Sequence, residues 1–501
     1  MFKMHITEHI TSLVSLLPLA SPYNQSNLPN FCMHGETHSW IVDGVGKGCK
    51  RKELLSSIEA SLGEATFCLS YADNKPRAVL ITDSADAVQI SHRGKPLRVR
   101  KKTFKIERVR DVVTPLSGMT YEEQLRTKSE PAQALAHALG CSNVEIIGSP
   151  VQTGYRNKCE FTFGYTETGQ PVLGFRPSKY TEAPNLVATP EECTYNVSKN
   201  MLDAVCAING YIADKPELIY NRLSKKGSLK ILMIRKIGAQ VLGVLQLNAE
   251  TEEGPQKDAL ERFTAFIAEN TCLSVLYVEK TSSVFEGFKP DSKIARVSGD
   301  SAEHTETVAG CTFKVSPLAF FQVNLQVAEI LASIIQKNAV SNLILDVCCG
   351  SGFLGICAAR GTDKRVVGME ISQGSVQNAR ENAALNGTDA EYICDSVENS
   401  LMKVVARKTD EKCAALLDPP RAGVSDKLIR KIAASENVAE VFYVSCSYRS
   451  VKSNLEELGK RYSLQKVYIL DMFPYTREVE CVFHYVLPKQ NAENVGAASS
   501  S

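Results

Sequence analysis

Leu343-Ile-Leu-Asp-Val-Cys-Cys-Gly350-Ser-Gly352-Phe-Leu-Gly355 is the stretch that decides the fold. An apolar, strand-like run passes into a turn whose glycines are spaced G-x-G-x-x-G, and a helical pattern follows. Glycine there permits a tight strand-to-helix turn and close backbone approach to a ligand. Glu370 lies 20 residues beyond Gly350, where an acid is expected to meet ribose hydroxyls.

Working outward, strand-like runs alternate with helical patterns from Asn342 onward. Leu343 to Val347, Arg365 to Ile371, Ala390 to Cys394, Ala414 to Asp418, Val441 to Ser445 and Leu464 to Leu470 predict a doubly wound parallel sheet of the α/β class. Ligands bind such sheets at the carboxyl ends of the strands. Gly350, Glu370, Asp395, Asp418 and Cys446 all fall at those ends.

The glycine turn alone suits NAD as well as S-adenosylmethionine. Three later segments choose between them: Asp418-Pro-Pro-Arg-Ala-Gly423, Val444-Ser-Cys446-Ser-Tyr448 and Phe473-Pro-Tyr-Thr-Arg-Glu-Val-Glu480. Hydride transfer has no use for a thiol at one strand end and a carboxylate before the last strand. Methyl transfer to a pyrimidine carbon needs both. Carbon 5 of uracil is a weak nucleophile; a thiolate added at carbon 6 moves electron density onto it and splits one hard step into two. After methylation, carbon 5 carries a proton that a nearby carboxylate must remove. Cys446 and Glu480 are the candidates for these tasks.

Composition sets the wider frame. A chain of 501 residues, 44% hydrophobic, suggests several globular domains. With 57 basic and 56 acidic residues, any nucleic-acid surface must come from clustering. Sixteen cysteines lie scattered in apolar stretches without C-x-x-C spacing, so reduced core thiols are expected, and no metal site or iron-sulfur cluster. No stretch approaches the ~20 apolar residues of a membrane span. A cytoplasmic or nuclear protein, monomeric and away from membranes, is expected.

Residues from about Ser39 to Lys102 read strand, helix, strand, strand, helix, strand, with the second helix at Ser84 to Ile90. This spacing resembles an RNA-recognition-motif domain. Such domains stack bases on aromatic residues of the central strands, and here those positions hold Ile41, Arg77 and Val79. From His92 to Arg110 the chain carries nine Arg or Lys and one Glu, a strip suited to phosphates through counterion release. Within it, Arg98 to Lys102 reads equally as a nuclear-import signal.

Tyr155-Arg-Asn-Lys158, Phe320-Phe-Gln-Val-Asn324, Leu345 to Gly352, Asp418 to Gly423 and the closing Cys and Glu segments, in this order, resemble the RNA uracil-C5 methyltransferase family across Tyr155 to Leu487. With its front domain, the chain is most similar to the animal-type tRNA branch that forms ribothymidine in the T-loop. The resemblance implies a Rossmann-like class I methyltransferase domain using S-adenosylmethionine on tRNA. It implies Cys446 as nucleophile and Glu480 as base, with Gln322, Gly350, Glu370, Asp395 and Asp418 binding the cofactor or holding the site, and Arg421 ordering the loop beside the base. The nucleophile is followed by Ser447-Tyr448 where many relatives carry Asn-Pro. The lack of cluster-binding cysteines favours tRNA over rRNA.

The expected division is a flexible N-terminus (1–35), an RNA-recognition-motif-like domain (36–105), a basic strip and helical linker (106–140), a central mixed α/β RNA-binding domain (141–305), the methyltransferase domain (306–489) and a disordered tail (490–501). Two other readings compete: an RNA-binding or tRNA-folding protein with a vestigial site, and RNA cytosine-C5 methylation. The second usually places another Cys after the Pro of the fourth-strand motif, whereas Pro419 here is followed by Pro420 and Arg421.

Overall fold

The run Leu343–Val347 is a strand with every residue buried. The computed structural model that shows this describes residues 38–45, 49–62, 67–70, 77–82, 89–101, 108–179, 183–190, 195–249, 255–282, 287–289, 292–299, 303–405 and 411–488. Leu343–Val347 belongs to an eight-stranded sheet ordered Ala390–Cys394, Arg365–Glu370, Leu343–Val347, Cys413–Leu417, Val438–Ser445, Glu480–Val486, Ser463–Leu470, Val144–Ile147. Its strands feed two cores. Ile344, Ala414, Leu416, Phe442 and Val444 enter one, while Leu343, Leu345, Ala415, Leu417, Val441 and Tyr443 enter the other. Burial on both faces is why these strands read as nearly continuous apolar runs.

The sheet departs from the expectation in two places. It is not wholly parallel: the first five strands in that order are, but Glu480–Val486 runs antiparallel to both of its neighbours. That inversion brings the start of the last strand to the end where Ser445 finishes. Secondly, Val144–Ile147, expected in the central domain, pairs in parallel with Val467 to Leu470 at the edge of this sheet. As a half-exposed edge strand it lacks the apolar run that marks its neighbours.

Helix Tyr121–Ala138, expected as a linker, likewise belongs to this core. Ala132 and Ala136 are fully buried beside Leu343 and Tyr485. Its alanine-rich inner face disguised the packing. A capping box starts it, with the Glu123 amide donating to Thr120 Oγ1 at 3.3 Å and the Thr120 amide donating to the Glu123 carboxylate at 2.9 Å. Such caps contribute about 1 kcal/mol.

A second sheet is ordered Ala295–Ser298, Val275–Thr281, Gln240–Asn248, Leu229–Ile237, Lys158–Tyr165, Pro171–Gly174. Helices Lys199–Ile212 and Pro255–Asn270 pack against it through Val205, Ile208, Phe263 and Ile267. Arg235, 1% exposed, donates from this sheet to the carbonyls of Pro317 at 3.0 Å and Ala319 at 2.5 Å, which anchors the segment leading to Gln322.

The front of the described chain holds strands His38–Asp43, Phe67–Ser70, Arg77–Thr82 and Arg98–Lys101 in the sheet order 67–70, 77–82, 38–43, 98–101. Trp40, Val42, Ala78 and Leu80 meet Leu54 and Ile58 of helix Arg51–Leu62 in a small core. The expected second helix lies largely outside the described residues, as do positions 102–107 of the basic strip and the two expected disordered ends. Among the described residues, no helix is long and apolar enough to cross a membrane.

Candidate active site

Ser445 pairs with Cys481 across antiparallel strands. At the next antiparallel position stand Cys446, one residue after Ser445, and Glu480, one residue before Cys481, so the sheet register places the thiol and the carboxylate opposite one another. Glu480 is 5% exposed, while Cys446, just past the strand end, is partly open. Burial, reinforced by Asp418, holds the Glu480 carboxyl well above its usual range, and the Arg421 guanidinium pulls against this. Burial also raises the Cys446 thiol, with Glu480 adding to the rise; Arg421 opposes both by its charge and a hydrogen bond to the sulfur. A thiolate and a carboxylate cannot both be charged cheaply in so small a space. Arg421 is the cation that acts on both.

Asp418 to Gly423 forms the wall beside this pair. Asp418 leaves the strand Cys413–Leu417, and burial raises its carboxyl to about 7. The loop turns back at Gly423, where φ is +74° and a Cβ would sit 2.9 Å from both Asn454 Oδ1 and Val451 Cγ1. Asn454 Oδ1 accepts from the Val424 amide at 3.3 Å and the Tyr443 hydroxyl at 2.9 Å. Ser450 donates its hydroxyl to the Arg421 carbonyl, joining this loop to the one that follows Cys446.

The neighbouring strand ends form a cradle around the glycine turn. Gly350 (φ +53°) has open space where a Cβ would project, and Gly352 (φ +83°) caps helix Phe353–Ala359. Cys348, with φ +62°, holds a left-handed conformation uncommon for a side-chain-bearing residue, as strained backbone at a ligand loop often does. Glu370 accepts from the Gly350 amide at 3.2 Å and from the Ile371 and Ser372 amides at 2.9 Å each. Ile371 next to it is 73% exposed. Asp395 is brought to the adjacent strand end, but its Oδ1 accepts from the Ser396 amide and the Asn399 side chain, so part of its work is local.

Gln322 is 7% exposed, and Phe321 before it packs on Phe353 at 5.6 Å between ring centroids, which sets Gln322 beside the glycine turn. It does not cap the next helix; Asn324 does, accepting from the Val327 amide. Asn157, from Tyr155-Arg-Asn-Lys158, donates from its side chain to the Gln322 carbonyl at 2.9 Å, and its amide donates to the Val323 carbonyl at 3.0 Å. This segment positions the Gln322 backbone and is no free surface turn.

Several residues at the site carried no separate signal in the sequence. Asp346, 1% exposed inside the first strand, accepts from the Gly355 amide at 3.0 Å; burial, with Asp418 and Glu370 nearby, raises its carboxyl to about 7. The glycine motif contained it, but only the fold shows its burial. Lys128 donates to Asp471 at 2.6 Å and to the Phe473 carbonyl at 2.9 Å, and Gln124 accepts from the Tyr475 amide at 2.9 Å. Helix Tyr121–Ala138 thereby fixes the loop that ends at Glu480.

A sheet of this order, with a glycine turn after one strand and an acid at the end of the next, defines a methyltransferase-type α/β domain. The whole fold is similar to that of the Pyrococcus abyssi tRNA (uracil-54, C5)-methyltransferase in complex with S-adenosyl-L-homocysteine, at a TM-score of 0.58 and 22% identity, over 80% of this chain and 92% of that one. Residues 307–487 match the family described as tRNA (Uracil-5-)-methyltransferase. The human tRNA (uracil-5-)-methyltransferase homolog A is 31% identical over 420 residues, 75% of this chain and 67% of the relative; its mouse counterpart is 30% identical over 442 residues, 78% and 71%. The chain belongs to the tRNA (uracil-5-)-methyltransferase family.

Proposed function

We propose that this chain methylates carbon 5 of a uridine in tRNA with S-adenosylmethionine, that the target is T-loop uridine 54, and that Cys446 is the nucleophile and Glu480 the base. One observation supports the chemistry above the others: the register Ser445 to Cys481 sets Cys446 and Glu480 opposite each other at the end of the cofactor sheet.

The residues present suit the cofactor. Gly350 leaves room for close approach, Glu370 stands at the ribose position and exposed Ile371 offers an apolar face for a flat base. Asp346, Glu370 and Asp418 gather carboxyls around the turn, where burial and mutual repulsion hold Asp346 partly protonated; a cationic sulfonium bound there would favour their charged forms. When bound, that group supplies an electrophilic methyl. Gln322 would meet the methionyl end with its amide.

The chain's own residues do the rest. A uridine flipped out of folded RNA, at a cost of a few kcal/mol, enters between Cys446 and the Asp418–Gly423 wall. Once its thiol proton has passed to solvent, the Cys446 sulfur bonds to carbon 6; carbon 5 takes the methyl, leaving the demethylated cofactor; Glu480, as the carboxylate, removes the carbon 5 proton as the carbon–sulfur bond breaks and the thiolate departs. A carboxylate with a raised pKa is a stronger base for that proton. Arg421 moderates the charge on both groups. The front domain is read as RNA-recognition-motif-like, its open face holding Ile41, Arg77 and Val79 at the aromatic positions with Arg98 and Arg100 beside them; a phosphate there would share Arg77 and Arg100 with Asp43, which pairs with both.

Position is tested by mapping the product on unmodified tRNA transcripts with uridine 54 or cytidine 54. The reading expects one 5-methyluridine, lost with cytidine 54. Methylation that persists there removes the T-loop assignment.

A further inference from the structure

Outside the catalytic domain, one cluster has a ligand chemistry that methyl transfer does not use. The thiol of Cys49, the carboxylate of Glu53 and a ring nitrogen of His92 lie within 4.8 Å of one another in the front domain. Cys49 precedes helix Arg51–Leu62, Glu53 lies in its first turn, and His92 comes from the short hairpin between sheet strands Arg77–Thr82 and Arg98–Lys101. Cys49 is fully buried and His92 is 7% exposed, while Glu53 faces outward.

The hydrogen bonds around His92 determine which of its nitrogens is free. Ser57 spends its own proton on the Glu53 carbonyl at 3.1 Å. With that proton placed there, its oxygen accepts from His92 Nδ1–H at 2.8 Å, the tautomer we assign from this bonding. This leaves Nε2 as a bare lone pair, and that atom is buried without a hydrogen-bond partner. A histidine with one nitrogen tied to an orienting oxygen and the other presented bare is prepared as a metal ligand. A buried imidazole nitrogen without a partner calls for an explanation, and a metal ligand role supplies one.

We propose that Cys49, Glu53 and His92 bind a divalent transition-metal cation of the zinc type, with water as fourth ligand. Thiolate, imidazole and carboxylate together suit zinc better than calcium or magnesium. Zinc bonds of about 2.0–2.3 Å set ligand atoms roughly 3.5 Å apart, so closing the site needs movements of the order of 1 Å. The Arg93 guanidinium meets Glu53 Oε2 at 2.6 Å, which leaves Oε1 for the metal and orients the carboxylate. On binding, the Cys49 thiol gives its proton to solvent. The metal would pin the start of the helix to the hairpin at the head of the basic strip.

The test uses the full chain after chelator treatment, titrated with Co²⁺ and then displaced by Zn²⁺, following thiolate-to-cobalt absorption in the near ultraviolet. The expected result is one equivalent bound by the wild type, with the band absent in Cys49→Ala. Ser57→Ala removes one hydroxyl from a partly buried helix position and has good helix propensity, so it keeps the fold, and it is expected to weaken cobalt binding about 10- to 100-fold. Glu53→Gln weakens it as well. No near-ultraviolet band in the wild type overturns the proposal, and so does a band undiminished in Cys49→Ala, which would assign it to other thiols. If Cys49→Ala fails to fold, unchanged cobalt affinity in both Ser57→Ala and Glu53→Gln overturns it.

Discussion

Lys128 Nζ lies 2.6 Å from Asp471 Oδ1, and neither side chain reaches solvent. This pair joins the helix ahead of the sheet to the strand end that leads into Phe473–Glu480. Burial pulls the Lys128 ammonium below its usual pKa, and Asp471 offsets part of that.

Breaking such a pair on one side strands a buried charge. Lys128→Met is expected to destabilise the protein by about 3–5 kcal/mol, read by urea denaturation. Adding Asp471→Leu should recover most of that loss. A double variant no more stable than the single one would show that the pair does more than neutralise charge.

Glu480→Gln keeps the shape of the side chain but, under the proposed mechanism, removes the base. Carbon 5 is methylated and keeps its proton, so the bond to Cys446 persists. The variant should accumulate protein covalently bound to tRNA, visible as a shifted band on a denaturing gel, with turnover down about 10²–10⁴-fold. Rapid turnover with no adduct would assign proton removal to another group.

Arg421 lowers the pKa of both Cys446 and Glu480. Arg421→Met should therefore move the rising limb of the pH–rate profile to higher pH, with a loss on the order of tenfold near neutrality that alkaline buffer partly restores. A uniform loss at every pH would instead mark Arg421 as an RNA contact.

Asp346 titrates at about 7 in the fold against 3.8 when exposed. The folded state thus holds a proton that the unfolded chain has already released. The carboxyl's contribution is fully present below about pH 4 and is lost as pH rises through about 7. Asp346→Asn keeps the acceptor for the Gly355 amide and removes this dependence. It should gain on the order of 1–3 kcal/mol over wild type at pH 8 and little at pH 4, by denaturation of the cofactor-free protein at both pH values.

The catalytic half of the fold was legible in the sequence because strands buried on both faces write long apolar runs, and because the candidate residues sit where those runs stop. Leu343–Val347 matches its expected span, and Arg365–Glu370 and Cys413–Leu417 differ by a residue or so at their ends. Strand direction was not legible: nothing in Glu480–Val486 announces that it runs backwards, yet that inversion brings Glu480 to Cys446. Edge strand Val144–Ile147 pairs with residues more than three hundred positions away, and helix Tyr121–Ala138 buries alanines, which carry little hydrophobic signal. The supporting contacts of Asn157, Lys128 and Asn454 were hidden for the same reason, because each depends on a partner distant in sequence.

The central claim is that Cys446 attacks the uracil ring. Its most direct test is methyl transfer from labelled S-adenosylmethionine to unmodified tRNA by the wild type and Cys446→Ala side by side, with nucleoside analysis of the product and tRNA binding measured for both. The account predicts 5-methyluridine from the wild type, none from Cys446→Ala, and similar tRNA binding by the two. A Cys446→Ala enzyme that still forms 5-methyluridine would contradict it.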